Sequence, residues 1–202
     1  MLDFVTLAQQ CAPSVDPHTM AAIVRVESGF NPLAIGVVNA RLARQPQTLP
    51  EAIATAQSLD KQGYRYSIGL AQIERGNVTA SGLPLETVFD PCTNLAMGAK
   101  ILGHCFQGAQ RQSNDQQMAL RTALSCYYNG QVRAPLAQSY VQKVVAAAAA
   151  DTHAAPIPVV PALIVSEPAT ASTPAPIAAS SPAAKSPAAQ GTGADAKDAH
   201  VF

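Results

Sequence analysis

The chain lacks most of the features that would give it an easy functional label. It has no excess charge: 13 Lys and Arg balance 13 Asp and Glu in 202 residues. That argues against a nucleic-acid binder and against strong attraction to anionic membrane surfaces. No apolar run approaches the length of a transmembrane helix. An export signal is not evident, because Met1 to Ala8 has no basic n-region and carries Asp3 where the apolar stretch would begin. There are four cysteines, none in a C-x-x-C pair, and His18 and His104 form no ligand spacing, so a zinc site is not expected. No cofactor is implied. Tryptophan is absent, and Asp151 to His200 contains no aromatic residue at all.

That last absence divides the chain. Residues 1–150 hold all four cysteines and nearly all the aromatics, enough for one core. Residues 151–202 are rich in Ala, Pro, Ser and Thr, with closely spaced prolines from Pro156 to Pro187. Such a segment buries too little apolar surface to offset its ordering entropy, and is expected to be a disordered, partly polyproline-II tail. Its apolar patch, Ile157 to Val165, is either a partner-docking site or a chance stretch in a linker.

Within the first 150 residues helical periodicity dominates. Asp16-Pro17 starts one helix, with Asp as N-cap and Pro at the first position, and Gly29 closes it. A turn-rich loop is expected from Gly29 to about Pro46, then helices over 50–62, 91–106, a segment capped by Ser113 or Asn114, and 136–150. Tyr64 to Ile73 is the only plausible strand region, and periodicity alone gives a mainly α domain with a minor β element. The cysteines suit an oxidising compartment. Cys92 and Cys105 are separated by thirteen residues of expected helix, about 20 Å, beyond the ~7 Å a disulfide allows between Cα atoms. Cys11 is left to pair with Cys92 or Cys105 if Cys126 takes the other, or with Cys126 if those two stay free.

One carboxylate is out of place. Met20, Ile23, Val24 and Glu27 fall at i, i+3, i+4 and i+7, so Glu27 shares the helix face that should meet the core. It also sits at the negative end of its helix. Desolvation and the dipole both disfavour ionisation, and the carboxyl pKa should rise. A carboxylic acid kept protonated near neutral pH suits protonation of a glycosidic leaving oxygen. The plainer reading is an acid that bends out to solvent.

Two further segments accompany Glu27-Ser28-Gly29-Phe30-Asn31-Pro32. They are Gly69-Leu70-Ala71-Gln72-Ile73 and Ser125-Cys126-Tyr127-Tyr128-Asn129-Gly130. In this order they resemble the motifs of the lysozyme-like lytic transglycosylases that cleave peptidoglycan. Connecting text, including Phe89 to Leu95 and Ser139 to Val144, resembles the small members of that family found in type IV secretion and conjugation systems. The resemblance covers roughly residues 8–146.

It implies a lysozyme-like fold and a peptidoglycan glycan strand as substrate. It also implies type IV secretion components as partners, and a periplasmic location. Glu27 is implied as the catalytic carboxylate, with Ser28, Gln72, Tyr127, Tyr128 and Asn129 as substrate-binding candidates. Each candidate has a structural alternative: Ser28 a local cap, Gln72 a turn amide, the tyrosines core packing. Two departures from the family pattern stand out. Aligned on Gly130, Tyr128 occupies the place of a usual Asn, while the other register puts Tyr128-Asn129 on Tyr-Asn. Glu74 stands where relatives often have Asn, placing a negative charge near the expected cleft. The competing functions are a hydrolytic lysozyme using the same acid, and a weakly active scaffold that recruits partners through its tail.

Overall fold

The computed structural model describes residues 4–152. The tail expected from residue 151 lies outside them, apart from Asp151 and Thr152, which end the final helix. The elements run α1 (Phe4–Cys11), α2 (Pro17–Ser28), β1 (Ile35–Val37), α3 (Leu49–Lys61), β2 (Tyr66–Ile68) and β3 (Ile73–Glu74). They continue with α4 (Arg75–Ser81), α5 (Leu85–Val88), α6 (Pro91–Gln110), α7 (Gln116–Asn129) and α8 (Gln138–Thr152).

Helix ends follow local chemistry. Asp16 accepts from the backbone N–H groups of His18 and Thr19 at 3.0 and 2.9 Å, and Gly29 closes α2 with φ +58°. Thr48 caps α3 and Asp90 caps α6 in the same way. Each such cap contributes about 1 kcal/mol. Three expectations change here. The turn-rich stretch after Gly29 contains β1, whose three residues are too few to show a period. The cap of α7 is Asp115, which accepts from Gln117 and Met118; Ser113 instead accepts from the Asp115 N–H. Helix α6 runs four residues past the expected Phe106. Helices α1, α4 and α5 are not among those expected from periodicity.

Two hydrophobic clusters make up the core. One unites α1, α2, α6, α7 and α8 around Met20, Ile23, Val24, Leu95, Leu102, Leu124 and Val141. The other joins the sheet to α3, α4 and α5 through Ile35, Ala56, Tyr66, Ile68, Ile73, Val78 and Phe89. The sheet is antiparallel with order β1-β2-β3; Ile35 pairs with Ile68, and Ile68 with Ile73. The outer edge of β1 is closed by a side chain. Gln45 accepts from the Ile35 N–H at 2.8 Å and donates to the Ile35 carbonyl at 3.0 Å.

Disulfides staple only the helical cluster. Cys11 joins Cys92 and Cys105 joins Cys126, with Cα separations of 4.9 and 5.8 Å. Cys92 and Cys105 stay apart along α6, as helix geometry requires. Among the described residues no helix is long and apolar enough to cross a membrane.

Candidate active site

The chain passes between the two clusters at the exit from α2, in the β2–β3 connection and between α5 and α6, and the first two of these carry a motif. The first is the exit from α2. Gly29 and Phe30 both take left-handed φ values, +58° and +65°, which reverse the chain immediately after Glu27 and Ser28. A phenylalanine adopts such a φ only when held there. Phe4 meets the Phe30 ring edge-on at 5.0 Å, and the Arg25 guanidinium lies 5.0 Å above it. The turn that fixes the end of the Glu27 helix is thus pinned by packing.

The second crossing is the β2–β3 connection, Gly69 to Gln72. Leu70 inserts into the helical cluster while Ile68, Ala71 and Ile73 belong to the sheet cluster. Asn94, fully buried in the first turn of α6, organises this turn. Its carbonyl oxygen accepts from the Ala71 N–H at 2.7 Å, and its amide donates to the carbonyls of Ile68 and Val88, each at 3.0 Å. Gly69 has φ +80°, and a Cβ there would strike the Asn94 amide. Glycine is required twice over, by conformation and by space.

Glu27 lies at this junction, half-buried. The Tyr140 hydroxyl, from α8, donates to its Oε1 at 2.6 Å. Burial raises the Glu27 pKa above the usual carboxylate range, and the Tyr140 bond opposes that rise. The hydroxyls of Tyr127 and Tyr140 are themselves driven up by burial and then by the Glu27 charge. Both remain neutral donors at any physiological pH. The Tyr127 hydroxyl donates to the Ala71 carbonyl at 2.6 Å, tying the end of α7 to the β2–β3 turn. Gly130 closes α7 with φ +79°.

The other candidates have defined local partners. Ser28 Oγ donates to the Val24 carbonyl at 3.1 Å. The Gln72 side-chain amide donates to the carbonyls of Gly69 at 2.9 Å and Ala34 at 3.2 Å, bridging the first two crossings. Both its amide hydrogens are used, which leaves the carbonyl oxygen for a ligand. Asn129 serves the α7–α8 loop by accepting from the Gln131 N–H at 3.1 Å. Tyr128 is exposed and stacks on Tyr140.

Other carboxylates are engaged elsewhere or simply exposed. Asp60 is held by Arg75 and accepts from the buried Tyr66 hydroxyl. Asp90 caps α6, and Glu86 is exposed on α5. Glu74 pairs with Arg65 across the sheet, so its charge is countered on the spot. Among the described residues no group of three His, Cys, Asp or Glu side chains gathers to hold a metal ion. A surface cavity of about 530 Å³ beside α3, lined by Arg41, Ser58 and Tyr64, includes none of the candidate residues.

The model of the transglycosylase SLT domain matches residues 4–147. The chain belongs to the SLT transglycosylase family. It is 51% identical over 189 residues to the type IV secretion system protein VirB1 of Brucella suis, covering 91% of this chain and 79% of that protein. The figures for the Brucella melitensis protein of the same name are the same. The protein VirB1 of Agrobacterium fabrum is 39% identical over 150 residues, 72% of this chain and 59% of the relative. No solved structure matches the chain at a significant level.

An SLT transglycosylase is a lytic, lysozyme-like enzyme, and the mainly helical architecture with its small sheet agrees with that membership. Two residues that build this candidate site carried no assigned role in the sequence. Tyr140 reaches Glu27 across 113 residues, and a lone tyrosine inside a helix gives no sign of such a contact. Asn94 reads as an ordinary first-turn residue of α6. Its one advance signal is a polar amide placed just ahead of the apolar stripe that begins at Leu95.

Proposed function

We propose that this chain cleaves the β-1,4 bond between N-acetylmuramic acid and N-acetylglucosamine in peptidoglycan, without water, leaving a 1,6-anhydro end. The observation that carries the proposal is Glu27: a half-buried acid with a raised pKa, one oxygen held by Tyr140, and, among the described residues, no second carboxylate bonded into its surroundings. The Glu27 proton passes to the glycosidic oxygen as the C1–O bond breaks, and the bonding pair leaves with that oxygen. An oxocarbenium-like centre is left at C1. Ionised Glu27 then takes the proton of the sugar's own 6-hydroxyl, whose oxygen closes on C1, and the acid is regenerated. Because the nucleophile is internal, no partner carboxylate is needed to activate water. A glycosidase that uses water or a covalent intermediate ordinarily employs such a partner.

The Tyr140 bond divides the labour of the carboxyl group. Oε1 accepts from a phenol that stays neutral, so the transferable proton belongs on the other oxygen. The Gln72 carbonyl oxygen is proposed as an acceptor for a sugar hydroxyl or acetamido N–H. Ser28 can still accept a hydrogen bond while donating to Val24. Tyr127 acts by anchoring the β2–β3 turn, and Asn129 by fastening the loop beyond it.

Likeness to the VirB1 proteins supports a role in type IV secretion, and the proposed cutting would open the wall locally to make room for a channel. The substrate lies outside the inner membrane, and the two disulfides suit the oxidising periplasm. Residues 151–202 are proposed as the segment that engages secretion components.

The test is mass spectrometry of muropeptides released by the oxidised full chain beside its Glu27→Gln variant. Anhydromuramyl products from the wild type alone support the proposal. Glu27-dependent reducing ends move the chain to the lysozyme class, and no products from folded protein favour the scaffold.

A further inference from the structure

We propose that Tyr128 is an aromatic platform for an N-acetylhexosamine ring of the glycan strand, held beside the catalytic acid by its stacking on Tyr140. The inference rests on the glycan-cleaving reading above and adds a recognition residue to it.

Tyr128 is 63% exposed, more than any other large hydrophobic side chain among the described residues. Its ring is nevertheless not loose. It stacks on the Tyr140 ring with centroids 4.7 Å apart and planes at 24°. Tyr140 is 5% exposed and fixed at its far end by the bond to Glu27. One face of Tyr128 is therefore covered, the other is open to solvent, and its orientation is set by the residue that holds the acid. The platform lies on the last turn of α7, with the chain reversing at Gly130 behind it.

The neighbouring side chains cannot take this part. Tyr127 turns inward and spends its hydroxyl on Ala71; Asn129 is occupied by the α7–α8 loop. Polar recognition at the junction is also thin, since Ser28 and Gln72 direct their donors to backbone carbonyls. What the helix end offers is a flat π face with a negative quadrupole. That face attracts the polarised C–H groups on one side of a pyranose ring and disfavours a carboxylate. The expected occupant is thus the sugar ring itself.

The absence of tryptophan makes the proposal directly testable. Tyr128→Trp in a Glu27→Gln background puts a single indole at the platform of a protein that cannot cut. Titration with an N-acetylglucosamine tetramer should shift its emission saturably, whereas Tyr64→Trp, an exposed control beside α3, should show no change. By calorimetry Tyr128→Ala should bind the tetramer about five- to tenfold more weakly, and Tyr128→Phe should recover most of that loss. In cutting assays Tyr128→Ala should raise KM while the pH profile stays in place, because the Tyr140–Glu27 bond does not pass through Tyr128. A silent indole, or equal affinity in Tyr128→Ala, overturns the platform whatever the products are. A clear titration from a chain that forms no Glu27-dependent anhydro products sustains the platform and overturns the reaction.

Discussion

Changing Tyr140 to Phe removes one oxygen and leaves the ring that stacks on Tyr128. The oxygen donates to Glu27 at 2.6 Å from a position that is almost fully buried. A hydrogen bond to a charged group is worth about 1.5–3 kcal/mol and one between neutral groups about 0.5–1.5. The difference, roughly 1 to 1.5 kcal/mol, is the part that favours ionised over protonated Glu27. At about 1.4 kcal/mol per pH unit, its loss moves the acid up by about one unit. Burial already holds Glu27 above the usual carboxylate range and Tyr140 is the opposing influence, so the sign is upward. The first chemical step needs the protonated acid, so the basic limb of the kcat/KM profile should move about one pH unit higher. Stability follows by linkage. A carboxyl raised on folding contributes stability that is complete below its ordinary pKa and is lost as pH rises through its folded value; in Tyr140→Phe that loss begins at the same pH and extends further upward. The assay is release of anhydromuropeptides across the pH range, with thermal melts of the same samples. A lowered Tm with an unmoved basic limb would show that the bond serves only the fold. A downward shift would refute the electrostatic reasoning.

Other outcomes follow from the same geometry. Glu27→Gln should abolish cutting yet stabilise the fold at pH 7, with the gain shrinking as the pH falls into the ordinary carboxylate range; denaturant titrations at two pH values would expose a pH-independent gain as contrary. Asn94→Ala leaves the Ala71 N–H and the Ile68 and Val88 carbonyls without their side-chain partner, a cost of about 3–5 kcal/mol, and a loss under about 1 kcal/mol in urea unfolding would mean the turn holds itself. The disulfides close sequence separations of 81 and 21 residues. Taken singly they correspond to about 4.5 and 3 kcal/mol, so reductant should lower the Tm steeply, and an unchanged melt would contradict that account.

The sequence announced α2 and its cap most clearly, because Asp16-Pro17 and Gly29 bracket a helix whose buried face includes Ile23 and Val24. Glu27 stood out as a break in that pattern. A break in a periodic pattern is local, and local features are readable. The contacts that make the acid useful are not local. Tyr140 comes from the last helix, and Asn94 reaches a turn 23 to 26 residues earlier. Strand β1 was hidden because its partner is separated from it by the whole of α3. The disulfide pairing needed the packing of α1 and α7 on opposite ends of α6. Gln72 was legible as an amide in a turn, though not that two carbonyls claim its hydrogens.

The Gln45 side chain on β1 has a bearing on where such a protein works. A short sheet with a bare outer rim invites another chain to add a strand, and the risk grows wherever copies or partners are crowded together. By answering both the N–H and the carbonyl of Ile35, Gln45 imitates a neighbouring strand with one residue. The rim at that point is already satisfied, so neither a second copy nor a stem peptide of the wall gains hydrogen bonds by lining up there. Association with other proteins is thereby steered away from backbone zippering and towards surfaces with side-chain identity.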